Sequence, residues 1–493
     1  MRCHDNRPDK IVATSRERDS DVIDDDDSFY ILLDTYGTKS RAYYFIFNPL
    51  GTQFETTLMG GGTMYADWDG RWFTAGRIDD DGWRAEIAIP FQSIEYNKKI
   101  WSMQLGRYVA RRQEFSCWKL AETFRSFRDM GHVRLSDYDL IERPSWLYLT
   151  PAPVVSVDDF ERSSQDLGGL LRIAPSENTA VDVTVNPDYA EIEADVDYID
   201  LDRLPLYLRE KRDFFMRDRE YMYDPLKIFY TRSIQDIDYG AKLSNKLFNG
   251  DVVFNGWLVR ESRENLYFAS RLNYYPFKGQ GLGLLIVSST EEDSLESTSG
   301  SLDGNLTMPL KMQVNFQAAF STYRKGETEK DEYAFLINPY RIVDEGLDIS
   351  GYYKKIGKDF NSLTGYIPQK AIDIVNLDVG YIFRFSKNSG FNHVYAGVGG
   401  DLWEKEGLGT EKREFRLSLS MSTKDNLYYC LDLISQDRKT SGGDKYYNRL
   451  LSTYTSYSLG GWRYIYATLD YGKYWGGCCT IRASAGNSNP AKR

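Results

Sequence analysis

The sequence predicts an all-β protein, a partial β-sandwich followed by an antiparallel transmembrane β-barrel of about 14–16 visible strands. Three observations predict it. Residues 28–140 hold short alternating strands cut by Gly, Asp and Asn turns, with no helical period. From about residue 165, segments of roughly ten residues alternate apolar and polar side chains between polar turns. Aromatic residues make up 15% of the chain, and 37 Tyr outnumber 25 Phe, as rings that seek a water–lipid boundary would. No run of about 18 apolar residues occurs, so no helix is expected to span a membrane. A barrel is compatible with a mean hydropathy of −0.51, because its lipid face uses only alternate residues.

Charge and composition narrow the function classes. The 493 residues carry 72 acids against 61 bases, a net charge of −11. That argues against nonspecific nucleic-acid binding, which needs clustered cations to displace counterions. Three scattered histidines (His4, His132, His393) cannot organise a metal centre, and five cysteines without C-x-x-C spacing do not form a disulfide scaffold.

Residues 1–140 are read as the sandwich. Residues 1–27 contain no basic and apolar leader, and the chain enters the strand DSFYILLDT directly. The expectation is that the first strands and a signal peptide are missing; a disordered leader is the alternative. Phe29, Ile31 and Leu33 share a face of one strand, and Tyr43, Phe45 and Phe47 share a face of the next. Trp83, Ala85, Ile87, Ile89 and Phe91 alternate with Arg84, Glu86 and Ala88, which puts Trp83 inside.

The succession DSFYILLDT, RAYYFIFNPLG, DWDGRW, DDGWRAEIAIPF and WSMQLGRYVARRQE, with Trp118 beyond, resembles carbohydrate-binding module family 9 domains over about a hundred residues. The resemblance implies a sandwich that stacks aromatic rings on sugar faces and holds hydroxyls with polar groups. Trp68, Trp72 and Trp118 are the candidate platforms, with Glu86 and Arg107 as polar partners. The alternative is that the tryptophans fill the core. The run Asp24 to Asp27 could serve a structural Ca2+ near Asp34, or form a solvated acidic loop.

Residues 141–164, with Pro144, Pro151 and Pro153, are expected as an extended linker, and 165–477 as the barrel. In 311–324, Met312, Val314, Phe316, Ala318 and Phe320 oppose Gln313, Asn315, Gln317, Ala319 and Ser321. In 268–275, Phe268, Ser270, Leu272 and Tyr274 oppose Ala269, Arg271 and Asn273. Tyrosine pairs such as Tyr274/Tyr275 and Tyr446/Tyr447 suit aromatic girdles. A soluble β array also alternates, but it packs its faces with more Val, Ile and Leu. Residues 478–493 break the pattern and are expected as a disordered or out-of-frame tail, with the barrel cut near Gly477.

The most distinctive stretch is 182–215, with Asn186-Pro187-Asp188-Tyr189, Glu193-Ala194-Asp195, Glu210-Lys211-Arg212 and Phe214-Phe215. Together with the ERPSWLYLTPAPVVS run before it, it resembles a DUF5916-type family of outer-membrane β-barrel proteins that carry a family 9-like domain in front. Leu208-Arg209 and Met216-Arg217 depart from that family's pattern, which puts an identical loop function in doubt. The resemblance implies a bacterial outer-membrane location, with lipid and a poly- or oligosaccharide as partners. The charged loop 186–224 cannot face lipid, so it is expected in the lumen or at the rim, with Asn186, Asp188, Glu193, Asp195, Glu210, Lys211 and Arg212 forming a plug or constriction.

Three readings of function stand at this point. The first is a glycan-binding outer-membrane barrel that aids capture, passage or catabolism of sugars. The second is a membrane-anchored glycoside hydrolase using a carboxylate pair such as Glu193 and Glu210. The third is a structural envelope protein with a degenerate sandwich. No H-E-x-x-H, G-x-S-x-G or P-loop motif occurs, no catalytic residue is assigned, and no cofactor is expected beyond that Ca2+.

Overall fold

The computed structural model describes residues 1–20, 23, 26–38, 41–59, 63–65, 68, 70–96, 99–112, 114–119, 130–138, 146–157, 163–176, 178–187, 205–208, 210–235, 237–261, 265–277, 280–291, 295–341, 343, 345–386, 389–407, 409–424, 427–439, 444–458, 464–473 and 479–487. The fold is all-β, a sandwich followed by one very large antiparallel sheet.

In the sandwich, a three-stranded sheet of Arg2–His4, Gly82–Ala88 and Phe73–Asp79 covers a seven-stranded sheet. The latter runs Gly131–Arg134, Ile100–Val109, Ser28–Asp34, Arg41–Phe47, Gln53–Met59 and Thr63–Tyr65, with Glu114–Cys117 also paired to Ile100–Val109. The strand Arg41–Phe47 reads as a continuous apolar run because both of its faces are buried. Tyr43, Phe45 and Phe47 pack with Trp72, Trp83 and Trp101 between the sheets. Ala42, Tyr44 and Ile46 pack on the other side with Ile23, Leu58 and Met130. Gly82 lies at φ +141°, and a Cβ there would sit 2.0 Å from the Cys3 carbonyl oxygen, so the close pairing of Arg2–His4 requires glycine.

The large sheet has eighteen strands in chain order, from Leu147–Val157 to Cys479–Asn487, each antiparallel to the next. The count exceeds the expected 14–16 at both ends. The stretch expected as a linker holds a strand, Leu147–Val157, in which Pro151 and Pro153 are tolerated because it pairs on one side only. The stretch expected as a disordered tail holds Cys479–Asn487, paired along Tyr464–Lys473 from Lys473↔Cys479 to Ile465↔Asn487. Among the described residues the first and last strands are not paired with each other, so the wall is not closed into a complete cylinder.

Several described strands turn their two residue sets to different surroundings. In Asn265–Phe277 the alternation is Phe268, Leu272 and Tyr274 exposed, Ala269, Arg271 and Asn273 buried. In Gln313–Lys325, Phe320 is exposed, whereas Gln317, Ala319 and Ser321 are buried. The same holds in Gly409–Thr423, where Phe415, Leu417 and Leu419 are exposed and Ser420 and Ser422 are buried. The outer surface is thus a broad apolar belt (Leu258, Leu284, Ile286, Leu302 and Phe335 belong to it), while the inner surface carries charged, amide and hydroxyl groups beside one apolar patch around Trp257 and Leu285. A water-soluble sheet shows the reverse pattern; a lipid-facing barrel wall shows this one.

The wall curls round one segment of the same chain. Between the strands Thr179–Val185 and Ile237–Leu247, residues 205–235 form short helical turns, Asp213–Met216, Arg219–Met222 and Thr231–Ser233. Phe214, Phe215, Met222, Leu226 and Ile228 pack against Trp257, Tyr267, Leu285, Ala319, Ala334 and Ile356. Those wall residues come from six different strands, which only a curved sheet can bring round one cluster.

Candidate functional site

The sandwich does not assemble the expected sugar platform. Trp72 is 3% exposed, its ring centroid lies 5.0 Å from that of Phe45, and its indole N–H donates to Glu55 Oε2 at 2.8 Å. A ring enclosed on both faces cannot stack on a sugar, so Trp72 is a core residue. Trp68 is half-buried against Tyr43 and Phe45, at 4.7 and 5.6 Å between centroids. Glu86 is exposed on the outer side of Gly82–Ala88, opposite the core set of Trp83 and Ala85. Arg107 donates to the His4 carbonyl at 2.8 Å and reaches Asp5 at 3.4 Å, tying the two sheets together. Trp118 is the exposed ring of the three, at 48%, with the Lys119 ammonium 5.6 Å from its centroid. The core takes Trp68 and Trp72 because aromatic burial between the sheets outweighs their position in a loop-like sequence.

The acidic run has a structural job. Asp24 and Asp25 lie outside the described residues. Asp26 is fully buried and accepts hydrogen bonds from Thr14 N–H, Thr14 Oγ1, Ser15 N–H and Asn48 Nδ2, all at 2.7–2.9 Å. Asp27 accepts from Val12 N–H at 2.8 Å, and Asp34 from Tyr36 and Gly37 N–H. Both Asp26 oxygens, Asp27 Oδ2 and Asp34 Oδ1 are already used by N–H and O–H donors, so the group does not fit a Ca2+ ion, which needs about six to eight free oxygen ligands. No group of three or more metal-binding side chains occurs among the described residues.

In the charged loop, Asp188, Glu193 and Asp195 lie outside the described residues. Asn186 sits at φ +39°, and its N–H donates to the Asp238 carbonyl at 2.8 Å, closing the base of the loop. Glu210 and Arg212 form a buried bidentate pair at 2.8 and 2.7 Å. The Arg212 guanidinium also donates to the carbonyls of Ile234 and Thr231 and lies 4.4 Å over the Phe215 ring. Lys211 contributes its backbone N–H to Glu210 at 3.0 Å. Burial pushes the Glu210 carboxyl up, but Arg212 outweighs it and holds the group below the usual carboxylate range. A carboxylate so committed cannot act as the general acid of a hydrolase, which needs a raised value.

A second set of charges, not singled out from the sequence, joins sandwich, inner segment and wall. Arg41 of the sandwich pairs with Glu220 of the inner segment and with sandwich Glu95 at 3.1 Å. Lys246 of the wall pairs with Glu95 and lies 3.4 Å from Asp218. Ser244 Oγ donates to Asp218 at 2.9 Å, and Lys242 donates to the Arg217 carbonyl at 3.0 Å. The rings of Tyr43 and Tyr221 flank the Arg41 guanidinium at 4.7 and 5.3 Å. Burial pushes the Asp218 carboxyl up, yet Lys246, Arg172 and Lys242 outweigh it and hold the group well below its usual range. The sequence signal was present in Lys242-x-Ser244-x-Lys246, a polar row at strand spacing, but nothing in it named the partners.

Deeper in the lumen, Arg271 and Asp303 pair bidentately at 2.7 and 2.6 Å. Asn273 Nδ2 donates to the Tyr221 carbonyl at 2.9 Å. Gln317 binds the inner segment twice, donating to Asp224 Oδ1 at 2.8 Å and accepting from Leu226 N–H at 2.6 Å. Burial lifts the Asp224 carboxyl to about 6 despite the hydrogen bonds from Gln317 and from Ile228 N–H. Between this segment and the wall lies a cavity of about 610 Å3, lined by Tyr223 from the segment, Met59 from the sandwich, and Asn273, Asn305, Asn315, Asn338, Tyr352 and Trp403 from the wall.

Two outcomes follow for the inner segment. Arg212→Met strands a buried carboxylate, and should cost about 3–5 kcal/mol; limited proteolysis of the detergent-solubilised protein should then cut within 205–235, and Glu210→Met in addition should restore much of the protection. Asp224 is favoured uncharged in the folded protein, because its folded value near 6 lies above the ordinary value of about 4. Its stabilising contribution is therefore complete at pH values below about 4 and lost as pH rises through about 6. Amide exchange around 222–230 should be slower at low pH than at neutral pH, and Asp224→Asn should abolish that difference.

Comparison with known proteins adds fold-level likeness only. No family model matches the chain, and no curated protein matches it. Among solved structures it is similar to OccK5 (OpdH) of Pseudomonas aeruginosa, at 9% identity over 93% of this chain and 94% of that one, TM-score 0.25. It is similar to OccK11 (OpdR) of the same organism, at 11% identity over 91% and 94%, TM-score 0.30. A third is the alcaligin outer-membrane receptor FauA of Bordetella pertussis, at 8% identity over 93% and 69%, TM-score 0.26. At such identities and TM-scores these likenesses carry no functional argument; the alternation of the wall itself is what gives the chain the architecture of an outer-membrane β-barrel.

Proposed function

We propose that this chain is an outer-membrane β-barrel protein that handles glycans, with its lumen occupied by its own segment 205–235 and its sandwich docked at one mouth. One observation carries the reading: the eighteen-stranded wall exposes apolar residues on its outer face and carries its charged and amide groups on the inner face. Leu258, Leu272, Leu284, Leu302 and Phe335 are each more than 40% exposed, a cost that only lipid contact removes. Met59 of the sandwich packs with Tyr221 and Val253, which fixes the sandwich to the mouth. The glycan part rests on the sandwich's resemblance to sugar-binding modules and on the exposed indole of Trp118. In this reading the ligand is captured outside the wall and handed to a lumen that is gated from within.

Two experiments test the two parts separately. Refolded into lipid vesicles, the protein should lose about 2–4 kcal/mol on Leu284→Arg, near the middle of Gln280–Glu291, and less than about 1 kcal/mol on Tyr274→Arg, near a strand end. Equal small losses, or a monomeric full-length protein in detergent-free buffer, would contradict the barrel. On a glycan array, Trp118→Ala should weaken binding by about tenfold, as loss of one stacking ring implies; an array that is blank for the unaltered protein would remove the sandwich from sugar binding.

A further inference from the structure

We infer that the luminal cavity between the inner segment and the wall is a binding site for a neutral oligosaccharide of two to three sugar units. The inference deepens the glycan reading and rests on the lumen it describes, but places a sugar site where the residue pattern offers no candidate. Its volume, about 610 Å3, falls inside the roughly 300–1,000 Å3 of small-molecule sites. Its lining combines what a sugar needs. Asn305, Asn315 and Asn338 supply amides; Asn338 Nδ2 donates to the Gly351 carbonyl at 2.6 Å, which leaves its oxygen to accept from a hydroxyl, and Asn315 Nδ2 keeps a hydrogen to donate. Tyr352 and Trp403 supply flat rings for C–H-rich faces.

Among the described residues, two lining groups lack a hydrogen-bond partner. Asn305 Nδ2 donates to Asn315 Oδ1 at 2.9 Å, while the buried Asn305 Oδ1 accepts nothing. The buried indole N–H of Trp403 donates to nothing. Both atoms are enclosed and cost free energy as they stand; a small turn of either side chain towards the cavity would let a ligand hydroxyl complete it.

The charges indicate a neutral occupant. The lining holds two cations, Arg271 and Lys354, and two anions, Asp303 and Glu220. Arg271 is spent on Asp303, and Glu220 on Arg41. An acidic sugar would need an uncommitted cluster of cations, of the kind that binds carboxylates bidentately. Lys354 is then the one lining charge without an ion-pair partner among the described residues, a single cation and not a cluster, and a cavity rich in amides with one such charge suits uncharged polyhydroxylated chains.

The test is calorimetric titration of the full-length protein in detergent with maltotriose, cellotriose and trigalacturonate. A neutral trisaccharide should bind, and the acidic one should bind more weakly or not at all. Asn305→Leu and Trp403→Leu should each raise Kd about tenfold or more, as loss of a hydrogen bond or a stacking ring implies. Trp118→Ala should leave this Kd within about twofold, because that ring lies on the sandwich. Each variant is first checked for an unchanged unfolding midpoint, and Asn315→Ala replaces any that fails. No binding of either neutral sugar, tighter binding of trigalacturonate, or loss in Trp118→Ala with the cavity variants unchanged would each overturn the inference. Failure of the barrel reading is seen separately, as a protein that stays monomeric without detergent.

Discussion

The polar inner face of the wall has to be satisfied, and the rest of the structure follows from that constraint. Strand period puts Lys242, Ser244 and Lys246 in one inward row, Arg271 and Asn273 in a second, and Gln317 and Ser321 in a third. These groups are buried, so each must be paired or hydrogen-bonded. Water could do this in an open pore. Here much of it falls to residues 205–235, which bring Asp218, Asp224 and the Tyr221 carbonyl to Lys246, Gln317 and Asn273. The apolar side of the same segment, Phe214, Phe215 and Ile228, fills the space round Trp257 and Phe360.

The sandwich is bound into this arrangement by buried charges. Glu95 and Arg41 lie on the sandwich, Glu220 and Asp218 on the inner segment, and Lys246 on the wall; the five form one continuous network. Buried ion pairs add little net stability compared with apolar contacts, but removing one member leaves a stranded charge. Such a network fixes orientation. Glu220 belongs both to this network and to the lining of the luminal cavity, so the sandwich, the inner segment and the cavity meet at one residue.

Tryptophan positions show where sequence reading reaches its limit. Trp83 is placed inside by strand alternation, and it is inside. Trp68 and Trp72 sit in a stretch without strand period, so alternation says nothing of them, and the gap between the two sheets takes both. The acidic run misleads for the same reason: Asp26 and Asp27 look solvated, yet they hold the segment 12–15 against the sheet. Loop residues take their role from what the chain brings beside them, which local pattern does not encode.

The sequence by itself determined the β character of the chain, the two-faced wall and which residue set faces outward, because the period of two is a local property of extended backbone. It also marked Glu210 and Arg212 as members of an internal charged element. Only the tertiary structure decided which charges meet, that Trp72 is core, that the edge strands Leu147–Val157 and Cys479–Asn487 extend the sheet to eighteen, and that amides from separate strands enclose a cavity. The partners Arg41 and Glu220 lie 179 positions apart, and Gln317 and Asp224 lie 93 apart; contacts over such separations are set by how the wall curls round its filling, which no window of sequence contains.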